Sequence, residues 1–348
     1  MSTAIGSKPP VIDDVARRAG VSVPTVSRVL TGAAKVSDEK RLRVLAAIEE
    51  LKFRPSAAAR ALVAGAPKSI AVIAGDTSQY GYAQTIRGIE ESARNAGYLV
   101  TITVVETPHD DSVDVAVSLV LNQPLAGVIV LKFDPAGVAA LHKIPAGIPT
   151  VSISGLRETG VPQAILQEAA AAEHLVQYLL DLGHGTVHHV RVPPSRKEDG
   201  RTTGWRRALK AAAAVIEEPI DATWEPESGR VIGRELGVRD DVTAIFCGND
   251  EIAMGVIRGL NEVGRSVPAD VSVVGFDDHP LAAMWNPPIT TVRQDFANLG
   301  SRAFDLLEKL LSDQPAQKLS AALPPLVIRE SAARPRTGFE GRTETGPD

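Results

Sequence analysis

The chain has 348 residues, 44% of them hydrophobic, and a net charge of −5, the profile of a globular protein with room for two or three domains. One cysteine, Cys247, excludes an intrachain disulfide, offers no metal-site spacing and fits a reducing cytoplasm. No signal-peptide-like run opens the sequence and no stretch of about eighteen apolar residues is present, which reads as a cytoplasmic protein with no membrane partner.

The charge is unevenly spread. Residues 1–66 carry eleven Lys and Arg against six acids, a surplus of five, while the remainder carries a deficit of ten. A small basic head on an acidic body suggests that the head alone meets a polyanion.

Residues 1–10 read as a flexible arm. From Ile12 the apolar positions Ile12, Val15, Ala16 and Ala19 recur at helical spacing, and Gly20 stops the helix. Ser22 is a natural N-cap for a second helix over Val23 to Leu30, with Pro24 in its first turn and Val26, Val29 and Leu30 inward. Two short helices joined by a tight Gly-containing turn make a helix-turn-helix, although an ordinary helical hairpin shares that spacing. In a major groove, the N-terminal residues of the second helix meet base edges. Arg28 suits guanine, Val23 and Pro24 suit a thymine methyl, and Thr25 or Ser27 can reach phosphate. A third helix follows, capped by Ser37, with Leu42, Leu45, Ile48 and Leu51 along one face. Residues 11–53 therefore form the expected DNA-binding domain. Residues 54–67 hold Pro55, a possible cap at Ser56, and a helix of barely two turns from Ala57 to Leu62, marginal in water by itself.

Residues 68–330 change texture. SIAVIAG, YLVTITVVE, AGVIVL, VHHVRV, TAIFCGND and VSVVGFDD read as strands separated by helices of ten or more residues. That alternation predicts an α/β body of parallel sheets covered on both faces, with ligands beyond the carboxyl ends of the strands. Polar residues ending strands are thus the candidates: Asp76, Asn249, Asp250, Asp277 and Asp278. No nucleophile elbow, P-loop, dinucleotide fingerprint or zinc-protease motif is present. Acids accompanied by Asn, Arg and Trp suit the binding of hydroxyl-rich molecules better than catalysis. Residues 331–348 are rich in Pro and Gly and are expected to be a disordered tail.

IDDVARRAGVSVPTVSRVL resembles the DNA-binding signature of the lactose-repressor (LacI/GalR) family of bacterial transcriptional regulators. The resemblance continues through VSDEKRLRVLAAIEELKFRPSAAARAL, GIEESARNAGY, RTTGW and TAIFCGNDEIAMGVIRGLNEVGRSVPADVSVVGFDDHPLA to PLVIRES, in the family's order over most of the chain. It implies an all-α helix-turn-helix head, a hinge helix, and two Rossmann-like subdomains of the periplasmic-binding-protein type. It also implies a homodimer on a near-palindromic double-stranded DNA operator, with no catalytic residue, metal or cofactor. By this resemblance Val23, Pro24 and Arg28 read bases, Thr25 and Ser27 lie nearer the backbone, and Leu62 is the hinge residue that wedges into the minor groove. Arg201, Asn249 and Asp277 bind the effector, Asp76 and Gln79 line the cleft from the loop after the first strand, and Trp224 stacks on the ligand.

Two features depart from the family pattern. Gln167 and Glu168 replace a polar Asp-Asn pair near the effector, and Val11 stands where a Thr cap is usual. The expectation is a repressor whose operator affinity is lowered by a small sugar-like effector, a carbohydrate. The alternative is a corepressor-dependent regulator responding to a non-sugar metabolite, as purine-binding relatives show. A sugar-binding transport protein is the remote alternative, disfavoured by the helix-turn-helix.

Overall fold

The computed structural model describes residues 10–30, 36–53, 67–155, 157, 160–195, 197–312, 314 and 319–336. Leu62 with the expected hinge helix, the arm before Pro10 and the tail beyond Arg336 lie outside the described residues. The chain divides into two units, Met1–Lys68 and Ser69–Asp348.

In the first unit, α1 (Ile12–Ala19), α2 (Val23–Leu30) and α3 (Asp38–Leu51) enclose a core of Val15, Ala16, Ala19, Val26, Val29, Val44, Ala47 and Phe53. Gly20 ends α1 at a φ of 65°, a left-handed turn that costs glycine little. Val21 N–H then donates to the Ala16 carbonyl, closing the helix end. Val11 supplies no side-chain cap; instead its own N–H donates to the Asp14 carboxylate at 2.9 Å, which recovers part of the lost capping. The expected inward face of α3 needs correcting. Leu42 and Leu45 are 67% and 49% exposed, whereas Val44 and Ala47 are buried. The contact with α1 and α2 selects the face one position away, because those two short helices cover only one side of α3.

The second unit has two lobes. The N-terminal lobe is a six-stranded sheet of β1 (Ser69–Ala74), β2 (Leu99–Val104), β3 (Gly127–Leu131), β4 (Thr150–Ser154), β5 (Gln163–Leu166) and β11 (Leu319–Ala322). Its spatial order is β11-β5-β4-β3-β1-β2, every pair parallel. Strand periodicity sends Ile70, Val72 and Ala74 into one buried layer and Ala71 and Ile73 into the other. The first layer is covered by α4 (Tyr80–Asn95) and α11 (Phe296–Leu311), the second by α5 (Asp110–Leu121) and α6 (Pro135–Lys143). The two edge strands fall short of the expected double coverage: Leu99 in β2 is 69% exposed, and β11 has no fully buried residue.

The C-terminal lobe has a parallel sheet in the order β7-β6-β8-β9, from β6 (His188–Arg191), β7 (Ile220–Asp221), β8 (Ala244–Cys247) and β9 (Ser272–Val274). Helices α7 (Glu168–Asp181) and α8 (Gly200–Ala211) cover one face, α9 (Pro226–Gly237) and α10 (Asp250–Glu262) the other. A small antiparallel pair joins β10 (Thr291–Val292) to β12 (Leu326–Val327). The chain therefore crosses between lobes three times: after β5, between β10 and α11, and between β11 and β12.

Residues 331–336, expected to open a disordered tail, are anchored to the body. Ser331 is fully buried, its hydroxyl accepts from Thr290 N–H at 2.9 Å, and Ala333 exchanges hydrogen bonds with the Ser272 hydroxyl. Arg336 pairs with Asp270 at 2.7 Å. Composition hid this because the anchoring comes from distant Ser272 and Thr290. The adjacent His188–His189 pair belongs to the scaffold at His189, which stacks on Phe246 and bonds the Phe246 carbonyl and the Thr202 hydroxyl.

Candidate functional site

On α2 the helical period separates two sets of side chains. Val26 and Val29 are buried, while Pro24 and Arg28 are exposed and Thr25 and Ser27 half-buried. Val23 is half-buried and packs against the head core. The Ser22 carbonyl accepts from Thr25 and Val26 N–H, so α2 starts where expected, but the Ser22 hydroxyl bonds the Thr25 hydroxyl at 2.9 Å instead of a free amide. The same helix thus anchors itself inward and presents a short polar and basic outer face.

The second candidate is a cleft of about 770 Å³, including its open mouth, lined from both lobes of the body. Arg201, Asn249, Asp277, Gln79 and Trp224 all line it. Asp76 does not. Its carboxylate instead accepts from the Ser78 hydroxyl and from Gln79 N–H, both at 2.8 Å, closing the turn that leads into α4. Burial works against its ionisation, but these donors prevail and hold the carboxyl below the usual carboxylate range. A short polar side chain after a strand bonds its own turn readily, which explains why the strand-end rule overreached here.

Arg201 is the centre of the cleft. It rises from the first turn of α8, which Asp199 caps by accepting from Thr202 N–H at 2.7 Å. Its guanidinium donates to Glu168 at 3.1 Å and to the Gly248 carbonyl, pairs with Asp277 at 3.0 Å, and lies 4.5 Å over the Phe276 ring. Burial opposes its charge, but Asp277 and Glu168 outweigh that and raise its pKa. The Gln294 side-chain amide donates to both carboxylates, Asp277 at 2.8 Å and Glu168 at 3.2 Å. Asp277 sits at a φ of 107°, a region that non-glycine residues rarely occupy. The Arg201 and Gln294 contacts hold it there. Burial pushes its carboxyl up to about 7, against the pull of Arg201 and Gln294.

The two neighbours Asn249 and Asp250 serve different ends. Asn249 caps α10, accepting from Ile252 N–H at 2.8 Å, while also facing the cleft. Asp250, a strand-end candidate like its neighbour, is fully buried and accepts from His279 N–H at 2.6 Å, bracing the loop after β9. Burial drives its carboxyl well above the ordinary range.

Sequence reasoning noted Glu168 only as a departure and missed Gln294, Asp199, Glu251 and Lys132 in or beside the cleft, with the aromatic walls Tyr80, Phe133 and Phe296. Gln294 follows β10 and would have been found by the strand-end rule. Asp199 carries a capping signal three residues before Thr202. Glu168 fits because Gly155 has no side chain: a Cβ there would stand 2.1 Å from a Glu168 carboxylate oxygen.

With this geometry in view, comparisons with known proteins are specific. Residues 11–56 match the model for bacterial regulatory proteins of the lacI family, and residues 176–332 match that for a periplasmic binding protein-like domain. The transcriptional repressor PurR of Pectobacterium carotovorum (strain PC1) is 32% identical over 331 residues, covering 92% of this chain and 96% of that protein. PurR of Proteus mirabilis (strain HI4320) matches equally well. Among solved structures, the lac repressor dimer bound to operator and the anti-inducer ONPF superposes with a TM-score of 0.86 at 29% identity, covering 94% of this chain and all of that one. The regulator CelR in complex with cellobiose gives 0.69 at 26% identity, over 93% of this chain and all of that one. No helix among the described residues is long and apolar enough to cross a membrane.

Proposed function

The chain belongs to the lacI (LacI/GalR) family of bacterial transcriptional regulators, DNA-binding proteins and not enzymes, and from that membership we propose a repressor whose homodimer grips a near-palindromic operator when a small non-sugar corepressor fills the cleft. The observation that carries this reading is the end-to-end match, head and cleft together, to repressors named PurR. In the head, Arg28 reads guanine, Val23 and Pro24 contact neighbouring bases, and Thr25 and Ser27 meet the backbone. Leu62 is assigned the minor-groove wedge, which unstacks a base step and is repaid by contacts on the bent duplex.

The cleft geometry supplies a route from ligand to DNA affinity. Glu168 lies just past the first crossing between lobes and Gln294 on the second, and both are bonded in the Arg201 cluster. A ligand that draws on Arg201 or Asp277 therefore acts on two of the three segments about which the lobes turn. Its effect on operator affinity is limited by its differential affinity for the two lobe arrangements.

A sugar effector, the first expectation from the sequence, is the second reading. It draws on the cellobiose-bound relative and on carboxylates and Trp224 that suit ring hydroxyls and ring faces. The test is anisotropy of a duplex enriched from a random pool by the protein itself, at fixed salt, titrated with metabolites. A non-sugar compound that tightens binding supports the proposal. Release by a sugar replaces it with the second reading, and failure to enrich any duplex removes both.

A further inference from the structure

The cleft has more acceptors than donors. Its lining carries the carboxylates of Glu168, Asp199, Glu251 and Asp277 against the cations of Lys132 and Arg201. All three guanidinium nitrogens of Arg201 are already bonded, to Glu168, Asp277 and the Gly248 carbonyl. Lys132 is buried and engaged as well. The acceptors are less well supplied. Asp199 uses Oδ1 to cap α8, but its buried Oδ2 makes no hydrogen bond, and neither does the buried Oε2 of Glu251. Gln294 Oε1, behind Glu168 and Asp277, is also without a partner.

A buried carboxylate oxygen without a donor is costly, and two on the wall of one cleft are a cost that folding alone does not recover. The same cleft is faced with aromatic rings: Tyr80, Phe133 and Phe296 from the N-terminal lobe, Trp224 from the other. Tyr80 and Phe296 meet edge to face at 6.0 Å, as do Phe133 and Phe296 at 6.5 Å. Ring faces beside surplus carboxylates attract organic cations by quadrupole and charge together. A neutral ligand would satisfy the rings and leave the charge imbalance in place.

Resting on the effector-cleft reading above, we propose that the ligand of this cleft is a small organic cation, an amine or a related nitrogen base, whose N–H groups meet Glu251 and Asp199 while its carbon skeleton lies against Trp224 and Phe296. Asp277, which burial with Glu251 and Glu168 holds at about 7 against the pull of Arg201 and Gln294, would lose its proton more readily once that cation is present.

The experiment uses the full-length protein and matched pairs of probes: glucosamine with glucose, tryptamine with tryptophol, and cadaverine with 1,5-pentanediol. Melting temperature and anisotropy on the enriched duplex are read in parallel. At least one amine is expected to raise the melting temperature and change operator affinity while its uncharged counterpart does neither. Glu251→Gln is expected to weaken that amine at least about tenfold, the loss of one charge-assisted hydrogen bond, and to raise the melting temperature of the ligand-free protein by about 2 °C. Equal or stronger action by an uncharged counterpart overturns the inference, as does a panel without any shift. A lower melting temperature for ligand-free Glu251→Gln also overturns it, because the carboxylate would then be a structural partner. If an uncharged compound controls operator affinity, regulation through the cleft stands and only the cationic ligand falls. If no duplex is bound at all, the repressor reading fails whatever the melting data show.

Discussion

The second helix of the head and the cleft of the body solve the problem of placing functional side chains in opposite ways. On α2, six consecutive residues from Val23 to Arg28 hold every candidate DNA contact among the described residues, and the 3.6-residue period alone decides which face inward. In the cleft, Gln294 and Glu168 meet at 3.2 Å although 126 positions separate them, and Arg201 binds the carbonyl of Gly248 across 47. A local site is insulated: its outward side chains can change without disturbing what holds the helix. A site assembled from distant segments is part of what holds those segments together.

The sharpest way to break this comparison is to remove each site's arginine. Arg201→Ala leaves Glu168 and Asp277 buried without their cation, and breaking a buried pair from one side costs about 3–5 kcal/mol. Urea unfolding followed by tryptophan fluorescence reads this directly, since Trp205, Trp224 and Trp285 all lie in the body. Unchanged stability would show that the cleft is as insulated as α2.

Next in size is a pH effect confined to the body. Asp277 titrates at about 7 when folded and near 3.8 when unfolded, because burial disfavours its charged form. The folded state thus keeps a proton that the unfolded chain releases, so this contribution is complete below about pH 4 and is lost as pH rises through 7. The decline is on the order of 4 kcal/mol, and Asp277→Asn should flatten it between pH 5 and 8. A wild-type urea midpoint rising over that range would place the carboxylate in its charged form.

Arg28→Ala is expected to relax specificity at one operator position by about 1–3 kcal/mol, with the unfolding midpoint unmoved. Equal loss on specific and random duplexes would make Arg28 a phosphate contact instead. Smallest is Asn249→Ala, which removes the α10 cap for about 1 kcal/mol. If ligand response vanishes with that modest destabilisation, the side chain serves cleft and helix together. If only stability changes, it is a cap alone.

Much of the architecture was legible because it depends on neighbours in sequence. Gly20, Ser22 and the spacing of Val26 and Val29 fix the helix-turn-helix, and Ile70 to Ala74 announce a buried strand through an unbroken apolar run. Arg201 was found by resemblance, Asn249 and Asp277 by resemblance and by their places at strand ends, and all three line the cleft. Asp76 shares that kind of position but satisfies itself within its own turn, a choice the strand-end rule does not distinguish.

What the sequence determined by itself was the order of elements, the two-part organisation and the family, because periodicity, caps and ordered motifs are properties of short segments. The tertiary structure decided which face of α3 is buried, that Ser331 to Arg336 are anchored, and that Asn249 caps α10 as well as facing the cleft. It alone decided that the Arg201 guanidinium is already paired while Asp199 and Glu251 keep acceptors without donors. Polar pairing such as that of Gln294 with Glu168, 126 positions apart, depends on where the chain returns, and no local pattern carries that information.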